Sequence, residues 1–205
     1  MKFISFYTKD GKYPELAKRL KASLERFNLD YDIEEMEPFQ SWAEGCKHKS
    51  KFIYKKLMQH KQPVVWLDVD SEVWQFPELL FENNDFAIYN WLADKDHHLQ
   101  GAIPHDPRSK TLLCSGGTQK WNYTIPMVDL LNLWIDKLSK EGNWEAGDDP
   151  VLDMAFNELK PKIIPLWLPK TYMRMDKNHT HHWTDIPKDQ VVINHDYTNG
   201  AHRNT

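Results

Sequence analysis

The run Val64-Val65-Trp66-Leu67-Asp68-Val69-Asp70 constrains this chain more than any other segment: an apolar strand that closes on two aspartates one residue apart. A strand that is apolar on both faces belongs in the middle of a covered, largely parallel sheet. Side chains alternate along a strand, so the spacing predicts that Asp68 and Asp70 point the same way. Two carboxylates at the carboxyl end of a central strand form a hard anionic site suited to Mg²⁺ or Mn²⁺, and those ions suit phosphate-bearing ligands. Open α/β sheets bind their ligands just beyond such strand ends. The plainer alternative is a pair of solvated turn aspartates.

A chain of 205 residues is long enough to bury a real core as one domain. Charged residues make up 27% and hydrophobic ones 40%, which places it among ordinary globular proteins. The formal net charge of -4 argues against a general nucleic-acid-binding surface, which needs a basic face. It leaves a nucleotide open, because a metal ion can neutralise its phosphates. The two cysteines, Cys46 and Cys114, suffice for neither a disulfide framework nor a zinc site. The segment from Met1 to Tyr7 reads as a strand rather than a signal peptide, and no apolar run reaches the length of a membrane span. A cytoplasmic protein is therefore expected, with Asn122 and Asn178 matching the glycosylation pattern by chance.

The rest of the chain alternates strands and helices, which predicts an α/β fold. Strands are expected at Phe3 to Thr8, Tyr31 to Met36, Asp85 to Trp91 and Lys162 to Leu168, and again at Val191 to His195, while Leu112 to Thr118 reads as a strand running into a small-residue turn at Ser115-Gly116-Gly117. The repeats of Leu16, Leu20 and Leu24, of Phe52, Ile53 and Leu57, and of Leu130, Leu131 and Trp134 predict helices. Asp148-Asp149-Pro150 is expected to cap a last helix carrying Val151, Leu152 and Phe156. The polar segment 93–110 is expected to be a loop. Asp94 to His98 and the histidines His179, His181 and His182 are expected to be surface rather than metal-binding, since no carboxylate or cysteine spacing supports them.

Two enzyme classes place an Asp-x-Asp after a buried strand. A haloacid-dehalogenase-like phosphatase would use Asp68 as nucleophile and Asp70 as general acid, with Ser115 and the Asp148-Asp149…Asp153 segment as later motifs. That class usually follows its second acid with Gly-Thr, whereas Ser71-Glu72 follows here, and the residues before Asp148 are too polar for a buried strand. The second class fits further. Phe6-Tyr7-Thr8, Leu24-Glu25-Arg26-Phe27, Ser41-Trp42, Lys49-Ser50-Lys51-Phe52-Ile53 and Val65 to Asp70 occur in order. Ser115-Gly116-Gly117-Thr118, Asp148-Asp149-x-x-Leu152 and Ile193-Asn194-His195 follow more loosely. This succession resembles the nucleotide-diphospho-sugar transferases, glycosyltransferases with the GT-A fold. The chain departs from that family's pattern at Lys49-Ser50 (often Lys-Pro), at Asp148-Asp149 (commonly Asp-Gln) and after His195.

The resemblance implies one GT-A-like, Rossmann-like domain over residues 1–205, a mostly parallel sheet flanked by helices. Residues 1–90 would form the nucleotide half and 91–205 the acceptor side. It implies a UDP- or GDP-sugar donor, an acceptor of unknown kind, and Mn²⁺ or Mg²⁺ held by Asp70 and Asp68, with His195 completing the metal site. Tyr7 and Thr8 would meet the base and ribose, Lys49 and Asp68 the donor, and Ser115-Gly116-Gly117 the diphosphate or sugar, glycine allowing close approach. Asp148 or Asp149 would serve as base in an inverting reaction. A GT-A domain that binds a nucleotide or glycan without chemistry is the non-enzymatic alternative.

Overall fold

A computed structural model describes residues 1–90, 114–140, 148–175 and 186–195. The expected loop at 93–110, the three histidines of 179–182 and the tail after His195 lie outside them. The first strand, β1 (Lys2–Thr8), is followed by helix α1 (Tyr13–Glu25), which has Pro14 in its first turn and buries Ala17, Leu20 and Leu24. It ends where Asn28 takes a left-handed conformation (φ 53°). Strand β2 (Tyr31–Met36) then leads to helix α2 (Trp42–His60).

Helix α2 begins well before Phe52, the first residue of the apolar repeat that predicts it. The Ser41 hydroxyl accepts from the Glu44 N–H at 3.2 Å, and the Glu44 carboxylate accepts from the Gln40 N–H at 2.8 Å. This capping arrangement satisfies amides that the helix start would leave open, so a polar segment can be helical. The extension matters for the site. It sets Lys49 one turn before Ile53 and two before Leu57, on the face that packs against the sheet.

Strand β3 (Val64–Leu67) is buried throughout and is followed by the short β4 (Ser71–Val73) and by β5 (Phe86–Asn90). Strand β6 (Cys114–Trp121) precedes helices α3 (Ile125–Lys140) and α4 (Asp149–Leu159), and then β7 (Pro165–Leu168), β8 (Arg174–Met175) and β9 (Ile193–His195). The main sheet has the order β2-β1-β3-β6-β5-β7. Five of its strands run one way, as expected, and β6 runs against both neighbours. A small sheet, β4-β9-β8, joins segments distant in sequence, and the sequence patterns do not predict it.

Alternation along β3 sorts the core. Val64 and Trp66 pack with Ile4, Phe52 and Leu57 on the face covered by α2, α3 and α4, where Trp121 stacks on Trp134 at 5.8 Å. Val65 and Leu67 pack on the other face with Phe3, Leu20, Leu24 and Ile193. Each such buried side chain contributes roughly 1.5–3 kcal/mol relative to exposure. Among the described residues no helix is long and apolar enough to cross a membrane.

Candidate active site

Strand β3 stops at Leu67, one residue short of the first aspartate. A tight turn follows, in which the Ser71 N–H donates to the Asp68 carbonyl at 2.9 Å. The turn, rather than strand alternation, therefore sets where the two acids lie. The Asp68 carboxylate meets Lys49 of α2, while the Asp70 carbonyl accepts from Arg19, midway along α1, at 3.3 Å. Both carboxylates act on the Tyr13 phenol, whose pKa is raised first by burial and then by Asp70, with Asp68 a smaller cause.

The reversed direction of β6 builds the other wall. Because Leu67 pairs with Thr118, the first residues of β6 lie beside the end of β3, and the Asp68 N–H donates to the Gly117 carbonyl at 3.0 Å. Lys49 reaches this junction from α2. Its Nζ stands 3.1 Å from Asp68 Oδ1 and 3.1 Å from Asp148 Oδ2, and donates to the Gly116 carbonyl at 3.4 Å. The Trp66 indole lies beneath this ammonium, 5.5 Å from it, and donates to Asp68 Oδ1 at 2.8 Å. Asp149 completes the group, accepting from the Gly116 backbone N–H.

Asp148 stands at the start of α4 as expected, yet its side chain caps nothing. The carboxylate goes to Lys49 instead, because a buried ammonium without anions would cost more than an unmade cap. The electrostatics follow from this crowding. Burial alone would lower the Lys49 pKa, but Asp148, Asp68 and Asp149 outweigh it and hold it well above the ordinary value. Burial raises Asp148 against the pull of Lys49. Asp149 is pushed up to about 8, by burial first and then by Asp148. One ammonium among three carboxyls thus leaves a proton on the acidic side at neutral pH.

The Ser115-Gly116-Gly117 segment is a buried strand rather than the expected turn, and its glycines are explained from within the protein. A Cβ on Gly116 would stand 2.2 Å from Asp149 Oδ1 and 3.0 Å from Lys49 Nζ. One on Gly117, facing the opposite side, would stand 2.5 Å from Met173 Cε and 2.7 Å from His195 Cε1. The space expected for a sugar or diphosphate is filled by side chains. The Ser115 hydroxyl also turns inward, to Met173 Sδ at 3.3 Å.

His195 is buried beside this strand. Its Nδ1 meets the Ser71 hydroxyl and its Nε2 the Thr118 hydroxyl, each at 3.0 Å. Burial lowers its pKa to about 3, so the ring is neutral. Both nitrogens are engaged, and metal ligation would require one of these bonds to break. Tyr7 is not brought to the Lys49 cluster: its hydroxyl donates to Glu35 at 3.1 Å and Lys21 lies 5.4 Å over its ring. Thr8 sits buried at the end of β1.

Sequence reasoning assigned Lys49 to the donor but missed its role between Asp68 and Asp148, together with Trp66 and Tyr13. The i, i+4 spacing of Lys49 with Ile53 and Leu57 is the signal that could have shown Lys49 facing inward. Among the described residues, no three His, Cys, Asp or Glu side chains gather as a ready metal cage.

No protein-family model and no curated protein matches this chain. Solved structures do. A glycosyltransferase involved in glycosylation of the major capsid of PBCV-1 is similar with a TM-score of 0.64 and 14% identity, over 98% of this chain and 95% of that one. The apo form of the glycosyltransferase GlyE of Streptococcus pneumoniae TIGR4 is similar with a TM-score of 0.59 and 18% identity; it covers 95% of this chain, which spans about half (53%) of GlyE. The chain thus has a GT-A-like glycosyltransferase fold, a single α/β domain around a six-stranded mixed sheet.

Proposed function

We propose that this protein is a metal-dependent glycosyltransferase that moves a sugar from a nucleotide diphosphate to an acceptor whose identity the residues leave open. The observation that carries the reading is the gathering of Asp68, Lys49, Asp148 and Asp149 where β3 and β6 meet, on a GT-A-like fold. Charged groups are costly to bury, and a cluster of them at the carboxyl end of a central strand is where α/β proteins bind ligands.

The donor set suits Mg²⁺ or Mn²⁺. These ions are commonly held by one or two carboxylates together with substrate phosphates, so a three-residue cage is not required. Asp68 Oδ1 is taken by Trp66 and Lys49, which leaves Oδ2 to join Asp70 in holding the ion. When bound, the ion would act as a Lewis acid on the departing diphosphate. His195 supports this turn from below through Ser71, and reads better as a positioning residue than as a ligand.

The chain's own residues do the rest. Trp66 and Lys49 fix Asp68 in one orientation. Thr8 ends β1, which supports reading it as a contact to the nucleoside. Asp148 is the better candidate for a base toward an acceptor hydroxyl, since Asp149 keeps its proton up to about pH 8. The phosphatase alternative rests on the same two acids, whereas both solved structures described above are glycosyltransferases.

Incubation with a panel of UDP- and GDP-sugars and Mn²⁺, with released nucleotide as the readout, tests the proposal. Release from at least one donor, abolished by Asp70→Ala, supports it. Phosphate release from a phosphomonoester, with every nucleotide sugar left intact, would replace it by the phosphatase reading.

A further inference from the structure

A groove of about 430 Å³ opens beside β4, apart from the Lys49 cluster, and is lined by Arg26, Glu72, Trp74, Gln75, Lys188 and Asp189. We propose that this groove binds a neutral oligosaccharide.

The lining is the first argument. Two cations, two anions, one amide and one indole leave no net charge, so the groove offers little to a nucleotide or another phosphate. A single aromatic ring is too little apolar surface for a lipid or a greasy side chain. The same set suits a sugar chain well. Hydroxyl groups both donate and accept, and so can satisfy carboxylate, amide, ammonium and guanidinium together. The apolar C–H face of a pyranose matches the indole, an apolar body that tolerates a wet surrounding.

Three of the six lining side chains are also held in place before anything binds. Gln75 Nε2 donates to the Asp189 carbonyl at 2.6 Å and to the Val191 carbonyl at 3.0 Å, which holds Oε1 in a set direction. Arg26 donates to the Val73 carbonyl and lies 5.0 Å over the Phe27 ring. Trp74 carries the Arg174 guanidinium 5.5 Å over its ring, and Arg174 is itself bonded to Asn194. Side chains ordered before binding lose little freedom on binding, which lowers the entropic cost.

An extended peptide is the natural competitor, because β4 is an edge strand of the small sheet. The amide and carbonyl of Val73, its last residue, are occupied, however. The Val73 N–H donates to Ser23 Oγ at 3.1 Å and the Val73 carbonyl accepts from Arg26, so a strand adding at this edge would find those groups taken. Glu72 lies two residues beyond Asp70, about 7 Å at the ordinary rise of a strand. If the sugar-transfer reading holds, a chain lying in the groove would be the distal part of the acceptor; binding itself does not depend on that reading.

The test is a titration of ¹⁵N-labelled protein followed through the indole N–H signals, with Trp74 identified by the signal that Trp74→Phe removes. The probes are neutral hexasaccharides of glucose, mannose, galactose and N-acetylglucosamine, with UDP, sulfate and an extended hexapeptide beside them. The expected result is a saturable shift of the Trp74 signal with at least one sugar, weakened about tenfold or more by Asp189→Ala or Gln75→Ala in proteins that melt like the parent. A Trp74 signal that no sugar moves at millimolar concentration overturns the proposal, and so does one moved by sulfate, UDP or the peptide instead. UDP and Mn²⁺ binding on the same sample reports separately on sugar transfer. Sugar in the groove without UDP binding removes only the acceptor role, and UDP binding with an inert groove removes only the groove.

Discussion

Gly116 and Gly117 are neighbours in one strand, yet they look onto two different kinds of buried polar group. On the Gly116 side an ammonium stands among three carboxyls, and Asp68, with about a quarter of its side chain exposed (27%), brings that group to the surface. On the Gly117 side a neutral, fully buried imidazole is tied to two hydroxyls and packed by Met173. The second arrangement satisfies its hydrogen bonds without any net charge, which is what a stabilising interior does. The first keeps charge where burial makes charge expensive. That contrast marks the Lys49 side as the place for chemistry and the His195 side as its support.

The largest expected effect comes from breaking the charged side. Lys49→Met leaves Asp68, Asp148 and Asp149 without their cation and is predicted to cost about 3–5 kcal/mol at pH 8. The loss shrinks at pH 5, because carboxyls that lack the ammonium take up protons instead. Urea denaturation at the two pH values checks this, and an equal loss at both would erase the distinction between the two sides.

Gly117→Ala and Gly116→Ala are each predicted to cost about 1–3 kcal/mol by overpacking. They differ in kind. Gly116→Ala displaces Asp149 and changes how stability varies between pH 5 and 8, whereas Gly117→Ala leaves that profile parallel to the parent's. Profiles altered alike would mean that the two sides are not separable.

The last effect is a slope, with little change at neutral pH. His195 has a folded pKa of about 3, below the ordinary value of 6.5, so between these values the unfolded chain binds the extra proton. Its contribution is complete above about pH 6.5 and is lost as pH falls toward 3, by up to about 1.4 kcal/mol per pH unit. His195→Gln is predicted to flatten the parent's stability-against-pH curve in that window. An unchanged slope would mean that the imidazole is not buried neutral.

Much of this was legible in the sequence. The apolar run before Asp68 announced a central strand, and the helical repeats located α1, α3 and the second half of α2. What escaped depended on partners distant in the chain. Alternation could not show that β3 ends at Leu67, because the turn is set by the Ser71–Asp68 bond and by β9 pairing with β4. Two glycines after a serine read as a turn, since nothing local shows that Asp149, Lys49, Met173 and His195 need the missing Cβ atoms. Asp148 before a proline read as a cap because its competitor, Lys49, lies about a hundred residues earlier.

Calorimetry of UDP and GDP, each with and without Mn²⁺, tests the central claim most directly when run on the parent and on Asp70→Ala. The account predicts that one of the two nucleotides binds only with the metal, and that Asp70→Ala loses this binding while melting like the parent. Binding indifferent to Mn²⁺, or retained in Asp70→Ala, would contradict it.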